Sequence, residues 1–598
     1  MYIYLACSLA LLLPSPVFSQ LALPNPQYTP PDASFGAQPS NTTGTSVNVQ
    51  WSTLLGNLLY FYDAQRSGKL PSTNRVPWRN NSAVDDGQDV GLDLSGGYYD
   101  AGDYMKYSFP LSFSLMSICW NAVDFGQGYD LANQTAYLDD MLRWGLDWLI
   151  KAHPSSSTLY VQVGVTDLDN SYWGGDQGIP TPRTSYQIND TSPGTDAAAL
   201  ASAAFAACSA LYANHTLNSS AASLQNSSYA STLLSHAQQL YSFAVNATGG
   251  QRTYQTSVPA SADAYASSGY GDDLTMAALF LTLASDPSSG SGTASTYYAD
   301  AGAHYYAFDL GSQMQPGDEE VFNWDSATPG AVVLAAQLAH AYPSVVATSN
   351  ATIGVWQDTA EAYFDAIVAG KGRGYLTGGG LLYYPGDSDE ASLNPSLNAA
   401  MLLTRYASSG LASTQNKMNS YLAFAQSQVD YALGKNPMTV PYVVGAHPNS
   451  PANPHSAIST GASPEDINNI DTVPQQEAYV IYGGVVGGPD AHGQFWDLRG
   501  DWAQGEVALD YNAPLLALAA HALVAGTSDP YYMQVTPGSY GAVRPSGYPC
   551  DAAVQTGCKH KGLSEGGKIA VGVVNSENVE EFQVLLVDNK LLFLSNSW

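Results

Sequence analysis

Thr195-Asp-Ala-Ala-Ala-Leu200-Ala-Ser-Ala-Ala-Phe205-Ala-Ala-Cys208-Ser-Ala-Leu211-Tyr-Ala213 is small or apolar on nearly every side of a helical wheel. A helix with no polar face has to be surrounded by protein. The segment 393–407 reads the same way, whereas 135–152 and 352–370 are amphipathic, as helices between a core and solvent would be. Working outward, helical periodicity recurs over 47–67, 108–125, 135–152, 195–213, 227–247, 271–285, 293–307, 326–342, 352–370, 391–408, 413–434 and 512–525. Helices in paired inner and outer layers predict an all-α (α/α)6 barrel, six helical hairpins in two concentric rings. The loops before its inner helices build one broad groove at one end. Long loops fall at 68–107, 154–193, 250–270 and 435–505, and loops of that length inside a compact domain are usually functional.

The 598-residue chain carries 20 Lys+Arg against 51 Asp+Glu, a formal net charge of −31, with no basic cluster. Nucleic acid is thereby excluded as a partner, because a basic stripe is required to hold the phosphates. With 40 Tyr and 11 Trp in a weakly charged, Ser/Thr/Asn/Gly-rich chain, the composition suits a neutral polyhydroxylated partner, and carbohydrate fits. Residues 1–19 read as a secretory signal peptide, with an apolar run too short to span a bilayer and a small residue, Ser19, before Gln20. Asn-x-Ser/Thr acceptors, among them Asn80, Asn133 and Asn246, agree with export and glycosylation. Cys550 and Cys558 are spaced to pair in a loop, while Cys119 and Cys208, in apolar helices, read as buried free thiols.

Residues 20–45 read as an arm or linker, 46–526 as the (α/α)6 helical domain and 527–598 as a tail of different character. In the tail, Lys559-His-Lys-Gly-Leu-Ser-Glu-Gly-Gly-Lys568 precedes a short apolar run that Asn575-Ser-Glu-Asn-Val-Glu-Glu-Phe interrupts with acids. That pattern is expected of a secreted tail or of a disrupted membrane anchor, since the run as it stands cannot span a bilayer.

The chemistry concentrates in two stretches. Gly97-Tyr-Tyr-Asp100-Ala-Gly-Asp103-Tyr-Met-Lys106 places two carboxylates three residues apart in a Gly-flanked turn ahead of a long apolar helix. Asp and Gly are also ordinary turn residues, so this tetrapeptide is not a site by itself. Phe495-Trp-Asp-Leu-Arg499-Gly-Asp-Trp-Ala-Gln-Gly505-Glu506-Val-Ala-Leu-Asp-Tyr511-Asn512 sets one Glu among aromatic and aliphatic neighbours. Apolar surroundings raise a carboxyl pKa and keep it protonated, which suits a general acid. Asn512 and Pro514 read as the cap and first turn of the last helix.

Together with Tyr160-Val-Gln-Val-Gly164, Pro193-Gly-Thr-Asp196, Tyr431-Ala-Leu-Gly434-Lys-Asn-Pro437, Tyr442-Val-Val-Gly445 and Gly487-Gly-Pro-Asp490, these stretches closely resemble glycoside hydrolase family 9, the inverting endoglucanases. The resemblance runs in order over about 47–525. It implies Asp103 as the base that activates water, Asp100 as the residue that helps orient that water, and Glu506 as the acid that protonates the leaving oxygen. Inversion requires acid and base on opposite faces of the sugar, roughly 6.5–9.5 Å apart. His455, Tyr511 and Trp173 are the implied sugar contacts. The segment around His455 departs from the family's Pro-His-His-Arg by carrying Ser456 and Ala457, and Asn170 stands where the family commonly has His. The same resemblance implies a structural calcium ion held by Ser268, Gly269, Asp272, Asp273 and Asp325, oxygen donors of the type calcium takes. No Cys/His cluster has zinc spacing.

The expectation is therefore a secreted, monomeric endo-β-1,4-glucanase, with surface anchoring if the tail is a disrupted anchor, acting on a polysaccharide. Its carboxylates are expected to be solvated in the groove. A hydrolase of mixed-linkage glucan, xyloglucan or glucomannan, or a glycan-binding relative without turnover, would share many of these features.

Overall fold

The computed structural model describes residues 20–33, 47–217, 222–290, 292–348, 352–560, 583–587 and 590–594. The leader 1–19 and most of the anchor-like stretch of the tail, 561–582, lie outside the described residues.

Twelve long helices carry the architecture: α1 (Val49–Ala64), α2 (Ser108–Phe125), α3 (Thr135–Ala152), α4 (Thr195–Ala213), α5 (Ser227–Asn246), α6 (Gly271–Ala284), α7 (Gly292–Ala307), α8 (Thr328–Ala341), α9 (Ile353–Ala369), α10 (Leu393–Ser408), α11 (Gln415–Ala432) and α12 (Leu509–Ala525). The even-numbered helices form the inner ring, each touching the next, with α12 closing back on α2. Every residue of α2 and α6 is buried, as is nearly every residue of α4, so these helices need no polar stripe. The odd-numbered helices sit outside, α1 on α12, α3 on α2, α5 on α4, α7 on α6, α9 on α8 and α11 on α10. Their mixed sequences follow from facing the inner ring on one side and water on the other. Two layers of helices around one core is the (α/α)6 barrel that the helical patterning predicts.

The C-terminal ends of the inner helices are tied together by a buried polar cluster. Arg405 of α10 pairs with Asp124 of α2 at 2.5 Å, and Gln337 of α8 donates to the same carboxylate at 3.2 Å. The inner-helix N-termini face the opposite end, where the long loops gather. Their unpaired N–H groups and dipoles give that end a positive field that favours acidic side chains.

Three differences from the sequence reading have clear causes. Cys119 of α2 and Cys208 of α4 form a disulfide rather than free thiols, because inner-ring packing brings their Cα atoms to 5.0 Å. The Cys550–Cys558 pair forms as expected. The last helix begins at Leu509, so Asn512 lies inside it, where its amide donates to Leu58 O and Gly483 O and accepts from Val485 N. Pro514 is likewise internal. Thirdly, the loop 154–193 contains a hairpin, β2 (Thr158–Val163) with β3 (Ser185–Asn189), and β1 (Lys106–Tyr107) adds antiparallel to β2 directly after the Asp100–Asp103 turn.

The described part of the arm is docked, not a free linker. Leu21 N donates to Asp139 at 2.7 Å, and the Tyr28 ring lies so close to Gly56 that a Cβ there would meet it at 2.6 Å. Residues after α12 also return to the barrel, where the Tyr532 hydroxyl donates to Gln50 O on α1.

Candidate active site

Three segments far apart in sequence are laced together at the N-terminal end of the inner ring. The Asp100–Met105 turn closes on itself, with Asp100 N donating to Met105 O at 3.0 Å and Met105 N to the Asp103 carboxylate at 3.0 Å. Its Gly97 lies in the left-handed region at φ 71, where a Cβ would strike the Trp148 ring. Gly102 donates its N–H to the Glu506 carboxylate at 3.0 Å and accepts from Ala457 N at 2.8 Å. A Cβ on Gly102 would stand 2.4 Å from His455 O, so only glycine lets the strands approach. His455 pairs with Glu506 as a short parallel bridge, its N–H on Gly505 O at 2.8 Å. The turn is tied to α12 by Leu509 N on Asp100 O at 3.0 Å. The two acid-bearing stretches singled out in the sequence thus meet directly.

The carboxyls are not the solvated groups the sequence suggested. Asp100 is only 3% exposed, and Asp103 and Glu506 are part-buried at the groove floor. Desolvation is the first cause that raises all three, and their mutual negative charge adds to it for Asp100 and Glu506. Glu506 is pushed up to about 8, Asp103 lies above the usual carboxylate value, and Asp100 lies well above it. Barrel walls and the Tyr and Trp rings around the floor exclude the water that would hydrate these charges.

Two further acids belong to the cluster. Asp169 accepts from Tyr104 N at 3.2 Å and is raised to about 8 by burial and then by Asp103. Asp510, on the first turn of α12, accepts from Asn394 of α10 at 2.7 Å and is raised by burial to about 7. Tyr265 donates its hydroxyl to Asp100, with its ring wedged between Tyr107 at 5.0 Å and Trp324 at 4.9 Å. Nothing in the sequence marks Tyr265, because a tyrosine in a polar loop has no local signature. Asp510 lies inside the stretch that carries Glu506, and Asp169 precedes Asn170.

The expected sugar contacts divide. Tyr511 lines an open cleft of about 350 Å³ together with Trp324, Asn323, Glu390 and Asp510, so a ring can reach it. His455 is held by its Nδ1 against Arg499 O at 2.5 Å. A carbonyl can only accept, so Nδ1 carries the proton and Nε2 is the acceptor. Burial keeps the ring neutral, with its pKa lowered to about 4. Trp173 is 5% exposed and packs on His455 at 4.7 Å between ring centroids. Its ring therefore supports the histidine and is largely covered, unlike the sugar contact expected of it.

Around α6, Asp272 accepts from Ala327 N and Asp325 from Ser268 N, each at 2.6 Å. Asp273 has a buried Oδ2 with no donor, and burial followed by the charges of Asp272, Asp196 and Asp325 raises it well above the usual value. That orphaned oxygen and surplus of negative charge suit a hard divalent cation. Among the described residues no three acidic, His or Cys side chains converge closely enough to hold a metal by themselves, so carbonyls such as those of Ser268 and Gly269 would have to complete the set.

Comparison with known proteins bears on this arrangement. Residues 51–519 match the family model described as Glycosyl hydrolase family 9. Endoglucanase 13 of Arabidopsis thaliana is 34% identical over 495 residues, covering 79% of this chain and 94% of that protein. Endoglucanase A of Bacillus pumilus is 33% identical over 476 residues, covering 79% of this chain and 66% of its own length. Among solved structures, the endoglucanase of the termite Nasutitermes takasagoensis superposes with a TM-score of 0.69 at 33% identity, over 80% of this chain and 99% of the other. A cellulase of C. cellulolyticum gives a TM-score of 0.66 at 28% identity, over 80% and 99%.

Proposed function

The chain belongs to glycosyl hydrolase family 9, and from that premise we propose how its groove works as an endo-β-1,4-glucanase, with Glu506 as general acid and Asp103 as general base. The observation that carries the assignment is the Gly102 N–H bond to Glu506, which sets a carboxyl of pKa about 8 against the turn bearing Asp100 and Asp103. Below that pH Glu506 holds its proton and delivers it to the glycosidic oxygen as the bond to the anomeric carbon breaks. Asp103 takes a proton from the water that attacks the same carbon from the opposite face. Asp100, fixed by the Tyr265 hydroxyl, steadies that water. No covalent intermediate forms, so the product anomer is inverted. His455 Nε2 accepts from a glucosyl hydroxyl, and Tyr511 with Trp324 lines the cleft along which the chain lies. A β-1,4-glucan is the substrate class that the endoglucanase relatives favour over the other glycans considered.

Proton NMR of cellopentaose hydrolysis tests the whole reading, with the α-anomer expected first at the new reducing end. Initial β-anomer, or no cleavage, overturns it.

Calcium at Ser268, Gly269, Asp272, Asp273 and Asp325 belongs to the same proposal, as a structural ion that neutralises the acids beside α6. A chelator should lower the melting temperature and added calcium should restore it, and a chelator-insensitive transition removes the ion. Export through the leader 1–19 completes the reading, and N-terminal sequencing of the secreted protein should begin at Gln20.

A further inference from the structure

Residues 527–560 lie beyond the stretch matched by the family model, yet they are bound to the loops that deliver the catalytic acid. Arg544 donates to Trp496 O at 3.0 and 2.7 Å, and the Tyr540 hydroxyl donates to Phe495 O at 2.9 Å. Gly538 N donates to Asn449 at 2.7 Å. The disulfide Cys550–Cys558 then closes a small loop whose Asp551 accepts from Ala553 N at 3.1 Å and Val554 N at 2.8 Å.

Asp501 faces that loop. It starts the single helical turn Trp502–Gly505 from which Glu506 emerges, capping it through Oδ1 on Gln504 N at 3.1 Å and through its carbonyl on Gly505 N at 2.8 Å. Its other oxygen, Oδ2, is fully buried and has no N–H or hydroxyl donor. The group against it is the Asp551 carboxyl, and Gln504 Nε2 bridges toward the same Asp551 at 3.5 Å. Asp501 is fully buried and Asp551 half-buried, and two carboxyls face each other in such a place at low cost only when one of them keeps a proton and donates it to the other.

We propose that Asp551 is a positioning residue for the catalytic acid: a carboxyl pair between Asp551 and Asp501 latches the disulfide loop of the C-terminal segment onto the turn that presents Glu506. The proposal rests on Glu506 being the acid. Burial and then the charge of Asp551 raise Asp501 to about 8, so the pair holds its proton across the acidic and neutral range. The other acids facing it, Asp471 toward Asp501 and Asp490 toward Asp551, work in the same direction. No cation pairs with either carboxylate among the described residues. Above about pH 8 both carboxyls ionise, repel, and release the turn.

Three readouts test this on the full-length protein. In Asp551→Ala, hydrogen exchange of a peptide spanning 498–509 should rise, and kcat on carboxymethylcellulose should fall about tenfold with KM unchanged, as expected for a displaced acid. Asp551→Asn keeps a donor toward Asp501 without a second charge, so it should restore kcat at pH 6 and keep exchange of 498–509 low above pH 8, where the native pair releases the turn. Unchanged exchange at 498–509 in Asp551→Ala overturns the latch whether or not Glu506 is the acid. So does a loss of melting temperature with kcat and pH profile intact, the signature of a merely structural contact. If exchange rises but Glu506→Gln still turns over, the latch stands and the acid assignment fails.

Discussion

As the proposed acid and base, Glu506 and Asp103 have opposite protonation requirements in the same desolvated floor, and that conflict sets the expected pH behaviour. Both lie above their ordinary values because burial penalises the ionised form. Glu506 must be protonated, so kcat/KM should fall on the alkaline side near pH 8, the value of its carboxyl. Asp103 must be ionised, so the acid limb should lie above the pH of an ordinary aspartate. A pH profile of kcat/KM on a soluble cellodextrin checks both limbs. Glu506→Gln and Asp103→Asn should each cost about 10²–10⁴-fold in kcat, the usual worth of a general acid or base. Glu506→Gln should also melt no lower than the native protein at pH 8. The native carboxyl binds a proton in the folded state that the unfolded chain has released, so its stability declines between the unfolded and folded pKa values, and glutamine avoids that loss. The proposed roles could be assigned from the sequence because each acid sits in a recognisable local pattern. The desolvation could not be, since it depends on walls from many other segments.

At the scale of elements, the helices were almost fully legible. Their observed ends differ from the periodicity by a few residues, as for α12, which starts at Leu509 where Asn512 had suggested a cap. An internal Asn reads as a cap only while its long-range partners, Leu58 and Gly483, are unknown. The Cys119–Cys208 bond was illegible for the same reason, because two apolar helices reveal their contents and not their register against each other. Cys119→Ser with Cys208→Ser should lower stability by about 2–4 kcal/mol while leaving the groove chemistry intact, as measured by denaturant unfolding and kcat. Gly102→Ala should be far more damaging to activity. Its Cβ would sit 2.4 Å from His455 O and force apart the three strands that hold acid, base and histidine, so kcat should drop with little change in helix content by circular dichroism.

Over the whole molecule, the buried acids set how stability depends on pH. Asp169 and Asp501 are raised to about 8, and Asp196 and Asp510 to about 7, each first by burial. Every such group binds a proton in the folded state that the unfolded chain has lost, so stability should fall as pH rises from about 4 to 8. Acids lowered by partners, Asp86 beside Lys106 and Arg183, and Glu361 beside Lys417, work the other way and lose their contribution only below about pH 4. The melting temperature should therefore peak near pH 4–5, and a maximum at pH 8 would contradict the desolvated cluster. What the sequence alone determined was the alternation of all-round apolar and amphipathic helices, the ring they form, and which acids are the candidates, because periodicity and motif are properties of contiguous residues. What only the tertiary structure decided was the protonation of those acids, the Tyr265 grip on Asp100, the disulfide across the inner ring and the return of the C-terminal segment onto the turn of Glu506. Each depends on burial and on partners supplied by distant parts of the chain, and no local pattern encodes either.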